Sequence, residues 1–359
     1  MIEENGKRYA TFLNAVVKKN KIFFVDVSTN VLSWHDLENN TDGIICYFNA
    51  EYGDLFSKLL FYDDEIIAVP KRANNIYRID INDGIKQIIS IDYFTDINDK
   101  QCKFTNGYIV NDELWLVGGT QPIIARLNLV NNEIIYYDMW KNELEENNFS
   151  KDDFWFIESV LINDVLSIAC SKGGIILSFN VNTESYVVKK TGLKTGFAGI
   201  DYLNDVFYLT SRYGAEIYMV SEKGEIKIED ENNALAAPND RTGYSVLVNN
   251  DEIYLIPWMG NSIAYIDKGI KGIEYNELWE ESSNCMASFI YDGNLYIQSL
   301  IDGYIYEIQE QRIIRKFRIA ISRKYHSRGY WILNNEFFND RISLHEDYSG
   351  ELEDYIKRI

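Results

Sequence analysis

A chain of 359 residues is long enough to bury a sizeable core, and its formal net charge of −20 argues against non-specific binding to nucleic acid or to anionic membrane. No apolar run approaches the roughly 18 residues that span a bilayer, and the opening residues Met1 to Arg8 lack the basic-then-apolar order of a secretory leader. A cytoplasmic protein with reduced thiols at Cys46, Cys102, Cys170 and Cys285 is therefore expected.

Only four Pro occur and no Gly/Ser-rich or Pro-rich linker divides the chain, so residues 1–345 read as one domain. Aromatic residues make up 14% of the chain, led by 26 Tyr, which favours strands. Seven short apolar runs recur in order: K-I-F-F-V from Lys21, E-I-I-A-V-P from Glu65, E-L-W-L-V from Glu113, V-L-S-I-A from Val165, V-F-Y-L-T from Val206, E-I-Y-L-I-P from Glu252 and N-L-Y-I-Q from Asn294. Their spacing stays between 41 and 52 residues, a repeat period that matches strand-built blades rather than helical repeats.

Six of these runs follow another strand across a tight turn: Asp63-Asp64, Asn111-Asp112, Asn163-Asp164, Asn204-Asp205, Asn250-Asp251 and Asp292-Gly293. Asn, Asp and Gly accept the positive φ that two-residue hairpins require. The first run uses Lys19-Asn20 instead. A third strand follows each of the later runs, as in N-N-I-Y-R-I-D ending at Asp80 and N-S-I-A-Y-I-D ending at Asp267, and a fourth comes after another polar turn. The stretch from Arg241 to Gly269 shows the plan most plainly, with strands expected over Tyr244 to Val248, Glu252 to Ile256 and Ser262 to Asp267.

Four antiparallel strands per unit and seven units predict an all-β, seven-bladed β-propeller. On the N-x-I-Y-x-I-D pattern, the sequence resembles bacterial β-propeller repeat proteins over about residues 9 to 340. The resemblance implies an architecture and no particular activity. Gly329 to Phe338 reads as a further, truncated pair of strands. In the tail, residues 346–359, the i, i+3, i+4, i+7 set Leu352, Tyr355, Ile356 and Ile359 predicts a short amphipathic helix docked on the domain.

In such a fold the second-to-third-strand loops and the loops between blades share one face. That face collects Lys71, Arg72, Lys172, Arg212, Tyr213 and Trp258, with Arg241 and Lys103 between blades. Basic and aromatic side chains thus converge in an acidic protein, the mixture that suits a carboxylate, phosphate or sulfate group. The opposite face collects the acidic turns. Pairing of the loop cations with Asp54, Asp96 or Asp240 is the alternative use for them. A second basic run from Arg312 to Arg328 is read as protection of the last strand edge.

The sequence carries no phosphate-binding Gly-rich loop, nucleophile elbow or H-E-x-x-H, and the three His stand far apart at His35, His326 and His345. Asp80 to Gly84 starts like a calcium loop, but Ile91 stands where the bidentate Glu belongs. The expectation is a non-catalytic propeller, without cofactor or metal, that binds a protein, peptide or small anionic ligand through Lys71, Arg72, Lys172, Arg212, Tyr213, Arg241 and Trp258. The alternative is a carboxylate-dependent hydrolase or lyase acting on an anionic glycan or peptide, with Glu51, Asp54, Asp201, Asp240 and Asp302 as the nearby acids.

Overall fold

The computed structural model describes residues 2–4, 7–50, 53–94, 101–147, 149, 154–212, 216–228, 243–258, 262–266, 274–277, 285–299 and 303–321. Seven four-stranded antiparallel sheets follow one another, each an up-and-down meander in which successive strands pair. This is the seven-bladed β-propeller fold expected from the repeat. The tail, the Gly329 to Phe338 segment, Tyr213 and Arg241 lie outside the described residues.

Second strands were the legible part of the repeat because they are buried on both faces. Such strands read as continuous apolar runs rather than as alternation. Within Glu65–Pro70, the four residues Ile66 to Val69 have no exposed surface, and Leu114 to Val117 in Glu113–Gly118 are similarly enclosed. Fourth strands are half solvent-facing, as in Gly84–Ser90 and Gly224–Ile228, and their sequences are correspondingly mixed.

Both residues of the hairpin turn take positive φ at Lys19-Asn20, Asn163-Asp164, Asn204-Asp205 and Asp292-Gly293, the type I′ requirement. In the turns at Asp63, Asn111 and Asn250 only the first residue takes a positive φ. In the first four sheets the Asp or Asn that ends the third strand has its own duty. Asp80 Oδ1 accepts the N–H groups of Asn82 (2.8 Å) and Asp83 (3.1 Å), and Asn128 Oδ1 accepts those of Val130 (2.9 Å) and Asn131 (3.0 Å). Asp36 and Asn180 repeat the arrangement. The calcium-like start at Asp80 is thus an Asx turn.

The chain divides into two units. One comprises Met1–Phe104 with Met286–Arg358 and contains the first, second and seventh sheets. Its N-terminal segment is stitched to the seventh sheet: Ala10 N–H donates to Ile319 O (2.8 Å), Phe12 N–H to Gln298 Oε1 (2.8 Å) and Gln298 Nε2 to Ala10 O (2.9 Å). The basic run there is interleaved with rings. Lys316 lies over Tyr304 (3.9 Å), and Arg318 lies over Tyr304 (3.8 Å) and Tyr9 (4.8 Å). Lys316 and Arg318 thus make cation–π contacts within this unit.

The other unit, Thr105–Cys285, holds the third to sixth sheets and a core with Trp115, Trp140, Trp155, Phe156 and Phe179. Its first strands stand side by side: Phe104–Val110, Phe156–Ile162, Phe197–Leu203 and Tyr244–Asn249. Pairing with the second strand slips near the start of two of them, between Phe156 and Ser159 and between Phe197 and Gly199. Such bulges bend a strand and re-aim its side chains. Glu158 sits in the first of these slips.

Candidate functional site

The residue after each second strand is one repeated position, occupied by Val27, Lys71, Gly119, Ser171, Arg212 and Trp258 in the first six sheets. Its N–H is tied to a carbonyl just ahead of the first strand of the same sheet: Lys71 to Leu55 (2.8 Å), Ser171 to Trp155 (3.0 Å), Arg212 to Gly196 (2.8 Å) and Trp258 to Gly243 (3.0 Å). Lys71, Arg212 and Trp258 are therefore structurally equivalent, and Arg72 and Lys172 each follow this position directly. The frame fixes the backbone while the side chain varies.

In the first unit, Lys71 is 8% exposed, and its ammonium pairs with Asp54 Oδ2 at 2.8 Å. The pairing with Asp54 weighed from sequence is realised here. Asp54 takes a positive φ of 56° to reach it. Lys103, 2% exposed, donates from Nζ to Arg72 O (3.0 Å) and from its backbone N–H to Lys71 O (2.8 Å). These interactions bring the buried Lys71 and Lys103 together with the half-buried Arg72. Cys102 adjoins them, and burial pushes its thiol up to about 12.

In the second unit, Arg212 is 3% exposed while Lys172 and Trp258 are half-buried. Gly196 links the two cations, since its carbonyl accepts from Arg212 and a Cβ on it would stand 2.7 Å from Lys172 N. The indole of Trp258 lies over Gly243, where a Cβ would come within 2.8 Å of Cε3. Trp258 Nε1–H donates to Ser245 Oγ (3.1 Å), and the Ser245 hydroxyl hydrogen-bonds Glu158 Oε1. That last bond joins the sixth sheet to the fourth. Between them stands Gly199, whose missing side chain allows the close approach: a Cβ there would be 2.9 Å from Val246 N and in collision with Tyr244 O.

Beside this network, the Tyr108 hydroxyl donates to Ser159 O and receives Asn106 Nδ2 at 2.9 Å. Burial raises the Tyr108 phenol well above its ordinary range, and the negative charges of Glu158 and Asp201 add to the shift. Asp201 accepts the N–H groups of Val248 (2.7 Å) and Tyr202 (2.8 Å), which ties the first strands of the fifth and sixth sheets together. Sequence reasoning missed Asn106, Tyr108, Glu158 and Ser245. The only signal was a polar residue near the start of a first strand, and the slip that aims Glu158 is invisible in composition. Glu51, Asp240 and Asp302 fall outside the described residues, as do Tyr213 and Arg241. Among the described residues no group of three His, Cys, Asp or Glu is placed to hold a metal ion, and no helix is long and apolar enough to cross a membrane.

No protein-family model and no curated protein matches the chain. Solved structures of low identity share its fold. Virginiamycin B lyase from Staphylococcus aureus is 16% identical, with a TM-score of 0.61 over 80% of this chain and 91% of that one. YCF48 from Cyanidioschyzon merolae is 11% identical, with a TM-score of 0.64 over 85% and 97%. KlAtg21, in complex with the coiled-coil of AgAtg16, is 10% identical, with a TM-score of 0.60 over 87% and 100%. The likeness defines the class: a β-propeller.

Proposed function

We propose that this chain is a non-catalytic, cytoplasmic binding propeller. It takes a protein, peptide or small anionic group at the ends of its second strands, through Lys71, Arg72, Lys172, Arg212, Tyr213, Arg241 and Trp258. The observation that carries the reading is the shared position of Lys71, Arg212 and Trp258, where one tethered backbone presents different side chains. Half-buried Arg72, Lys172 and Trp258 supply accessible contacts, while Lys71 and Arg212 act from below. Binding of a coiled-coil by KlAtg21, a protein of the same fold, supports a protein partner.

The test is calorimetric titration with sodium sulfate and with a poly-glutamate peptide, using the wild type and the double variant Lys172→Ala, Arg212→Ala. Saturable binding of one probe by the wild type, weakened about tenfold or more in the variant, is expected from loss of charge-assisted hydrogen bonds. Equal binding by both proteins, or none by the wild type, removes the reading.

One observation favours a second reading, a carboxylate-dependent hydrolase or lyase acting on a glycan or peptide. Glu158 and Asp201 stand on neighbouring first strands, both close enough to act electrostatically on Tyr108. Turnover of a glycan or peptide substrate that Glu158→Gln abolishes would establish it.

A further inference from the structure

We propose that Glu158, Ser245 and Trp258, with Asn106 and Tyr108 beside them, form a binding site for a neutral, hydroxyl-rich ligand of the sugar or polyol class. The site shares Trp258 with the binding reading above and uses none of its cations, so each can fail without the other.

The residues stand on three first strands of one unit and at the end of one second strand, and the hydrogen bonds among them cross from the third sheet to the fourth and from the fourth to the sixth. A structural staple between sheets would be expected to lie deep. Here all five residues are only half-buried, with the Tyr108 hydroxyl the enclosed end of the group.

The chemistry then selects the ligand. These side chains offer a carboxylate, a hydroxyl, a phenol, an amide and an indole. Hydroxyl and carboxylate oxygens both accept hydrogen bonds from ligand hydroxyls, and each can accept more than one. An indole offers an apolar face to C–H groups, and mixed walls with a few placed polar groups characterise small-molecule sites. An anion is disfavoured, because the first strands of this unit carry Glu158 and Asp201 and no Lys or Arg. The site is also organised in advance. The Trp258 indole N–H holds Ser245 Oγ while the Ser245 hydroxyl points at Glu158, so little ordering remains to be done on binding.

The experiment uses the full chain, with saturation-transfer NMR and calorimetry against D-glucose, D-galactose, N-acetyl-D-glucosamine and myo-inositol. At least one should bind saturably, and Glu158→Gln should weaken it about tenfold or more by removing a charge-assisted acceptor. Ser245→Ala should do likewise, and Trp258→Phe, which keeps a ring and loses the N–H, should weaken it less. Should Ser245→Ala fail to fold, Glu158→Gln and Trp258→Phe answer the question, with thermal melting as the control. The proposal is overturned if none of the four saturates, if Glu158→Gln binds equally well, or if D-glucuronate or methylammonium binds in preference to them.

Discussion

The first strands of the two units carry opposite chemistry. In Ala15–Lys18, Phe56–Tyr62 and Cys285–Tyr291 the charged residues are Lys18 and Lys58, with no acid. In the four first strands of the other unit they are Glu158 and Asp201, with no base. One repeat geometry therefore serves two kinds of wall. Buried cations stand at strand ends in both units, Lys71 and Lys103 in the first and Arg212 in the second, but only the second places carboxylates along its first strands. Repetition fixes where a side chain stands, and the individual strand decides what chemistry stands there.

The largest effect that would break the contrast is in the first unit. Removing the ammonium by Lys71→Ala leaves Asp54 buried with its charge, which should cost about 3–5 kcal/mol in urea unfolding. Adding Asp54→Asn should recover much of the loss, because the amide carries no charge and Asn tolerates the positive φ found at this position. If Lys71→Ala alone is neutral, the pair contributes nothing to holding the strand ends.

A smaller effect sharpens the second unit. Gly199→Ala forces a Cβ against Tyr244 O and should destabilise by about 1–3 kcal/mol, since backbone cannot yield as a side chain can. By parting the fifth and sixth first strands it should also lengthen the Ser245–Glu158 contact, seen as a changed Trp258 fluorescence spectrum. Unfolding without that spectral change would show that Ser245 and Glu158 keep their contact by another route.

The sequence made the second strands and their turns plain because both signals are local. Burial on two faces writes a continuous apolar run, and a two-residue hairpin demands Asn, Asp or Gly. Trp258 stood out because no other blade copies it. Glu158 did not, being one acid among 55 Asp and Glu, and its reach to Ser245 depends on a register slip and on a glycine in the first strand that stands between them. The cations at 71 and 72 were visible as charge, whereas the burial of Lys71 and its hold on Asp54 are properties of packing. In the sequence Lys316 and Arg318 suit the guarding of an edge, whereas the tyrosines that receive them lie just ahead of the neighbouring strand and near the start of the chain.

The smallest predicted effect concerns pH and compares the acidic third-strand ends with the amide ones. Asp36 and Asp80, in the first unit, are held below the ordinary carboxylate value, chiefly by the N–H groups of Asn39 and Asn82 respectively. A carboxyl lowered in the folded state adds stability above its unfolded value near 3.8, and that contribution disappears as pH falls through the folded value. Asn128 and Asn180, at the same position in the second unit, make the same turn without a titrating group. Asp80→Asn should therefore leave melting at pH 7 almost unchanged, because the amide oxygen can accept the same two bonds. Between pH 5 and 2 the variant should lose less stability than the wild type. Asp26 provides the opposite sign: burial raises its carboxyl against the bonds from Thr29, Ser28 and Thr11, so its contribution is lost as pH rises through the folded value. Melting curves of Asp80→Asn that run parallel to the wild type throughout the acid range would show that these turns do not couple to protons at all.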